Sequence, residues 1–193
     1  MHSSDVVGVM KIEKLIAVCG LPCSGKTTFG EVARSIGFAV IEGSDVVRAK
    51  FQAFHQPGED MTGFASRWWS ETSPDFFTRE VIENMVAKLP TAVYVGCRNP
   101  HEIRYLRDTV KEVRTLGLFS DTLERFQRSM QRGRQDNPFT LTDFIHRDMR
   151  ELEMGLASLM AHYIDRLVIN NDSLDVYLGG ARTEIINYFG VSS

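Results

Sequence analysis

Along the chain, short apolar runs alternate with stretches whose apolar residues recur at helical spacing. Residues 15–19 (LIAVC), 38–41 (FAVI), 92–97 (AVYVGC), 113–119 (VRTLGLF) and 167–169 (LVI) have the length of buried strands. Between the first two, residues 27–35 predict a helix despite Gly30. A second helix is expected just after the Glu42-Gly43-Ser44-Asp45 turn, with Ser44 or Asp45 as its cap. The pattern weakens over residues 52–74, where Pro57-Gly58 breaks the chain and Trp68 and Trp69 add apolar bulk. This stretch reads as a mobile or inserted element on the substrate side, spanning about residues 50–77. Residues 76–89 predict a helix stopped by Pro90, and a polar helix runs from Pro100 to about Val110. Over residues 122–132, Leu123, Phe126 and Met130 form an expected buried stripe, and Arg125, Arg128 and Arg132 a separate basic face. A long helix is expected from Thr142 or Asp143, packing through Ile145, Met149, Leu152, Leu156 and Leu159 or Met160. A terminal helix is expected over residues 183–189.

Strands alternating with helices imply an α/β fold in which a parallel sheet is covered on both faces, because strands this apolar need shielding from water. A chain of 193 residues with 43% hydrophobic side chains can bury a core of that kind, and no linker-like tract divides it. One domain over residues 14–193 is expected, behind a flexible leader of residues 1–13. The formal net charge of -3 excludes a generally basic nucleic-acid-binding surface. Charge is nevertheless unevenly placed: Arg98 to Arg134 holds nine Lys/Arg against five Asp/Glu, and Glu42 to Glu83 holds four against eight. The basic half suits a polyphosphate. Cys19, Cys23 and Cys97 form no CxxC pair and suggest no disulfide framework. With no secretory signal and no run of membrane-spanning length, a cytoplasmic protein is expected.

The sharpest chemical signal is residues 20–27, GLPCSGKT, which match GxxxxGK[ST] between an apolar strand and a helix. In such a loop clustered backbone N–H groups cradle phosphates above a helix N-terminus that carries partial positive charge. Gly20 and Gly25 permit the tight turn. Cys23, Ser24 and Thr28 line or support the cradle, Lys26 reaches the β and γ oxygens, and Thr27 can join a magnesium shell. ATP and Mg2+ are the expected cofactors. Asp45, just past the second strand on the same sheet edge, is the candidate for aligning the acceptor or holding magnesium through water. Arg48, one turn on, can grip the acceptor. Arg98, closing the third strand, should point into the same cleft. Arg128, Arg132 and Arg134 are candidate residues of a lid at about residues 125–140, since mobile guanidiniums stabilise charge on a transferring phosphoryl group. Arg147 and Arg150, three apart on one helix, can complete the clamp. Asn170, ending the last strand with Asn171, can contact the base or cap the turn. Trp68, Trp69, Phe76 and Phe77 can stack on an aromatic acceptor or simply pack in the core.

These residues resemble the P-loop small-molecule kinases, especially dephospho-coenzyme A kinases and an archaeal group related to adenylate kinase. The likeness runs through residues 20–51 (GLPCSGKTTFGEVARSIGFAVIEGSDVVRAKF), 95–107 (VGCRNPHEIRYLR), 122–138 (TLERFQRSMQRGRQDNP), 144–155 (FIHRDMRELEMG) and 167–174 (LVINNDSL). It implies a three-layer P-loop NTPase fold, a five-stranded parallel sheet of order 2-3-1-4-5, a short helical lid and ATP as donor. The implied acceptor is nucleotide-like, with Lys26 and Thr27 serving ATP-magnesium, Asp45 the acceptor, and Arg98 and Arg134 phosphate. Phage relatives that phosphorylate hydroxymethylated bases imply modified DNA as another acceptor, for which the basic segment from Arg98 would serve. One position departs from the pattern: related archaeal chains carry an acid where this chain has Val95. That loss removes an expected holder of magnesium-bound water, and it opens a third reading as a nucleotide-binding regulator with little turnover.

Overall fold

The computed structural model describes residues 12–85, 89–132 and 140–190. Five strands, β1 (Ile12–Cys19), β2 (Ala39–Glu42), β3 (Leu89–Cys97), β4 (Glu112–Phe119) and β5 (Arg166–Ile169), form one parallel sheet of order β2-β3-β1-β4-β5. The α/β class expected from the sequence pattern and the strand order implied by the resemblance are both present. Successive residues of β1 point into different layers. Leu15, Ala17 and Cys19 enter a core shared with Ile103 and Leu106 of α5 (Pro100–Thr109), whereas Ile16 and Val18 enter one shared with Phe29 of α1 (Lys26–Ser35) and Ala181 and Ile185 of α9 (Leu174–Phe189). Burial on both faces is why the strand reads as an unbroken apolar run.

A third apolar cluster lies outside the sheet, between α2 (Gly43–Phe54), α3 (Met61–Glu71) and α4 (Phe76–Glu83). More than half of the weakly patterned stretch, the end of α2 and all of α3, is thus regular helix. Asp60 caps α3 by accepting from the Gly63 N–H at 2.7 Å. Trp69 and Phe77 are buried in this cluster, with Trp68 and Phe76 against it. The helix expected over residues 76–89 ends at Glu83, and Pro90 lies at the start of β3, where a missing N–H is tolerated. The terminal helix starts nine residues earlier than expected, because Ser173 caps it and Tyr177, Ala181 and Ile185 form one buried stripe across Gly179 and Gly180.

Two helices present the opposite face from the one expected. In α6 (Thr122–Arg132) Leu123 and Met130 are exposed, while Arg125 and Ser129 are buried; of the expected stripe only Phe126 packs, half-buried against Phe144. In α7 (Leu141–Glu151) Ile145 and Met149 are exposed, while Phe144, Asp148 and Glu151 are buried. A π-helical segment, Leu152–Leu156, joins α7 to α8 (Ala157–His162), and Gly155 within it has φ +121°. Buried positions run 144, 148, 151, then 156 and 159; the five-residue step is the inserted residue of the π turn.

Candidate functional site

The loop between β1 and α1 is built by satisfying its own carbonyls. Gly20 has φ +143° and Gly25 φ +108°; a Cβ on Gly20 would stand 2.4 Å from the Leu118 carbonyl oxygen. Six consecutive carbonyls, from Gly20 to Gly25, each accept a hydrogen bond. Lys26 Nζ donates to Gly20 and Leu21 at 2.6 and 2.8 Å. Arg125 donates to Pro22 at 3.3 Å and Arg128 to Cys23 at 3.5 Å. Asn170 Nδ2 donates to Ser24 at 3.0 Å, and the Tyr177 hydroxyl to Gly25 at 2.9 Å. With the acceptors taken up on the outside, the N–H groups at the start of α1 are free to converge on an anion, while the Ser24 N–H turns back to the Leu21 carbonyl at 3.3 Å. Among the described residues neither the buried Ser24 hydroxyl nor that of Thr27 has a hydrogen-bond partner. The residues present therefore fit a phosphate, with Thr27 able to add a hydroxyl to a magnesium shell.

The gripping side chains are themselves held. Arg125 and Asp148, each nearly inaccessible, make a two-pronged pair at 2.9 and 2.6 Å, and Arg125 Nε also donates to the Ser120 carbonyl. The basic face of α6 thus turns Arg125 and Arg128 toward the loop. Arg128 donates to the Asn170 carbonyl at 3.0 Å as well, linking α6 to the end of β5. Burial pushes the Tyr177 phenol up, so it remains a neutral donor.

Arg98, at the end of β3, is locked to both oxygens of Glu151 at 2.6 and 2.8 Å. Its main-chain N–H is bound by Glu102, whose carboxylate also accepts from Asn99 N–H and Thr78 Oγ1. Burial raises the Glu102 carboxyl's pKa despite these donors. Burial, helped by the neighbouring Arg98 charge and opposed by Glu151, also lowers the Lys26 ammonium to about 8. A bound polyphosphate would relieve both penalties.

Asp45 and Arg48 stand together in the opening turns of α2, paired at 2.7 Å, with Asp45 largely exposed. Arg48 also reaches Ser44 Oγ. Ser44, Val47, Trp69, Phe77, Arg98 and Glu102 line a pocket between α2, α3, α4 and the end of β3. Of the other arginines, Arg150 turns to Asp60 at 2.9 Å, on the α3 side, Arg147 is half-buried on α7, and Arg132 is exposed at the end of α6. Arg134 and the lid's centre lie outside the described residues. Sequence reasoning missed Asp148, Glu151 and Tyr177 altogether; the two acids at i and i+3, flanked by Arg147 and Arg150, were the available signal for the first pair.

No protein-family model matches the chain. A UPF0200 protein of Sulfurisphaera tokodaii is 30% identical over 168 residues, covering 87% of this chain and 93% of the relative. The chain belongs to the UPF0200 family. Another member, from Methanopyrus kandleri, is 35% identical over 81% of this chain and 80% of its own. In fold, this UPF0200 chain is similar to shikimate kinase from Acinetobacter baumannii (TM-score 0.61, 15% identity, 94% of this chain and 95% of that one). It is also similar to a gluconokinase from Sinorhizobium meliloti (TM-score 0.59, 16% identity, 93% and 98%). The fold is that of P-loop kinases. Among the described residues no helix is long and apolar enough to cross a membrane.

Proposed function

We propose that the chain is an ATP-dependent kinase that transfers the γ-phosphoryl group to a hydroxyl or phosphate of a nucleotide-like acceptor. The observation that carries this reading is the phosphate loop with all six carbonyls engaged, the N–H groups at the start of α1 free for an anion and a depressed-pKa lysine at its base. The P-loop kinase fold of its structural neighbours supports it. The loop amides and Lys26 stabilise charge on the β and γ phosphates as the new bond to the acceptor oxygen forms and the β–γ bridge breaks, releasing ADP. Asp45 aligns a hydroxyl acceptor and takes its proton, and Arg48 and Arg98 bind the acceptor's anionic group, Arg98 exchanging Glu151 for it. Arg128, Arg132 and Arg134, with Arg147, close over the phosphates. Magnesium, held by Thr27 and the nucleotide, would offset triphosphate charge and orient the leaving group.

A second reading, a nucleotide-binding regulator with little turnover, is favoured by one observation: Val95 is buried beside Phe29 and Val32, so no carboxylate occupies that strand end. Transfer of label from γ-labelled ATP to dephospho-coenzyme A, to each common nucleoside monophosphate and to hydroxymethyluracil-containing DNA separates the readings. Product on one small acceptor, reduced about 100-fold or more by Lys26→Ala, is expected. Tight ATP binding with no product on any acceptor would favour the regulator, and product on DNA alone would redirect the acceptor assignment.

A further inference from the structure

We infer that Glu42 supplies the carboxylate that holds the water shell of the nucleotide's magnesium. The inference rests on the ATP-binding reading above. In P-loop NTPases the loop Ser/Thr shares the metal with an acid from a neighbouring strand end. Three observations pick out Glu42 as that acid here. In the β2–β3 register Glu42 stands opposite Val95 at the carboxyl ends of the strands. Paired residues of parallel strands project to one face, and Val95 packs with Phe29, Val32 and Ala33 of α1, so Glu42 also faces the helix that begins at the phosphate loop. Independently, a Cβ built on Gly30 would meet Val95 Cγ2 at 3.3 Å and Glu42 Oε1 at 3.4 Å. Gly30 lies three residues past Thr27, on the same side of α1 and one turn from its unpartnered hydroxyl.

Four other carboxylates near the strand ends are committed or misplaced. Glu102 accepts from two N–H groups and Thr78, and lies with Tyr94 on the other side of the sheet. Asp148 is held by Arg125 and Glu151 by Arg98. Asp45 points to solvent with its side chain 68% exposed and paired to Arg48. Glu42 has a side chain only 15% exposed, and its hydrogen bond from Arg34 falls on Oε1 alone. Its other oxygen remains available in a half-dry position. Magnesium keeps several waters and takes only one or two carboxylates beside the phosphates, so an acid that contacts the shell through water meets its demand. Gly30 leaves the space in which that carboxylate turns.

The test is calorimetric titration of the full chain with ATP, once with excess magnesium and once with EDTA. The ratio of the two affinities reads the metal's contribution without reference to turnover. Glu42→Gln is expected to reduce that ratio about 10-fold or more, the usual cost of an outer-sphere partner, with the EDTA affinity kept. Arg34→Gln removes the same ion pair but leaves the carboxylate, and is expected to keep the ratio, as is Asp45→Asn. Glu42→Gln combined with Val95→Asp is expected to regain it. An unchanged ratio in Glu42→Gln overturns the inference, as does an equal loss in Arg34→Gln, which would assign the effect to the ion pair. A wild-type chain that binds ATP equally well in both conditions also overturns it, while leaving the phosphate loop's role standing. No ATP binding in either condition overturns both.

Discussion

Around the phosphate loop, side chains from α1, α6, the end of β5 and α9 reach main-chain carbonyls, and the arginine nearest the centre is sealed with an aspartate away from water. Across the carboxyl edge of the sheet, α2, α3 and α4 are joined by rings instead: Phe64 lies 5.5 Å from Phe51 and 5.2 Å from Trp68, and Phe76 lies 5.5 Å from Phe77. Of the charged residues of that region, Asp45 and Arg48, paired to each other, and Arg150, paired to Asp60, stay near the surface. The donor side is therefore fixed by directional bonds that hold one backbone geometry, as phosphate recognition by N–H groups requires. On the acceptor side cohesion is non-directional, and it leaves the polar residues free to reorganise around a second substrate. One half is preformed, and the other is built to adjust.

The comparison breaks most severely at Arg125. Arg125→Ala leaves Asp148 as a buried charge without its partner and removes a donor from Pro22, so a loss of about 3–5 kcal/mol in unfolding free energy is expected by urea denaturation. Replacing both Arg125 and Asp148 by Met and Leu should restore most of that stability while nucleotide affinity stays low, because the loop's carbonyl remains unbonded. A double variant that binds ATP normally would show that the pair serves stability alone.

A smaller and reversible effect follows from Lys26. Its ammonium titrates near 8 in the free protein, and a bound triphosphate raises that value, so the complex holds more protons than its components above about pH 8. ATP affinity is then fully developed below about pH 8 and falls as pH rises through it, by up to roughly tenfold per unit, or about 1.4 kcal/mol. Calorimetry in buffers of different ionisation heat should register proton uptake at pH 8.5. Stability of the unliganded fold moves in the opposite sense. The folded value lies below the ordinary 10.5, so the unfolded chain binds more protons between about pH 8 and 10.5 and this contribution grows with pH. Lys26→Ala should abolish both trends; a pH-independent affinity in the parent protein would remove the lysine from phosphate binding.

The same contrast explains what the sequence disclosed. The phosphate loop is legible because its chemistry is written in backbone, and glycine, lysine and threonine at fixed spacing leave few alternatives. The central strands β1 and β3 are legible because strands buried on both faces are nearly unbroken apolar runs. The polar seal of the loop is hidden for a physical reason. Amphipathic periodicity assumes that a helix buries its apolar face, yet α6 and α7 turn Arg125, Asp148 and Glu151 inward and leave Leu123, Met130, Ile145 and Met149 outside. In α7 the error has a source: Leu156 and Leu159 do face the core, but the π turn at Gly155 shifts the register by one residue, so extending their stripe backwards selects Leu152, Met149 and Ile145 in place of Glu151, Asp148 and Phe144. Tyr177 carried no signal, because a lone tyrosine on an apolar helix face reads as core, which it also is.

The smallest expected effect probes the seam between the two halves. Arg150, near the end of α7, reaches Asp60, the cap of α3, with both side chains about half exposed. An ion pair at that exposure is screened by water and salt and contributes less than about 1 kcal/mol. Asp60 keeps its bond to the Gly63 N–H when Arg150 is gone, so Arg150→Ala should shift the urea midpoint only slightly and Asp60→Ala more, by the loss of a helix cap worth about 1 kcal/mol. The order of the two variants is the informative result. If Arg150→Ala proved the more damaging, α7 would be fastened to the acceptor side through this contact, and the two halves could not move as separately as their different cohesion implies. If the order is as expected, Arg150 is free to leave Asp60 at little cost, which a residue must be able to do before it can turn to an anionic acceptor.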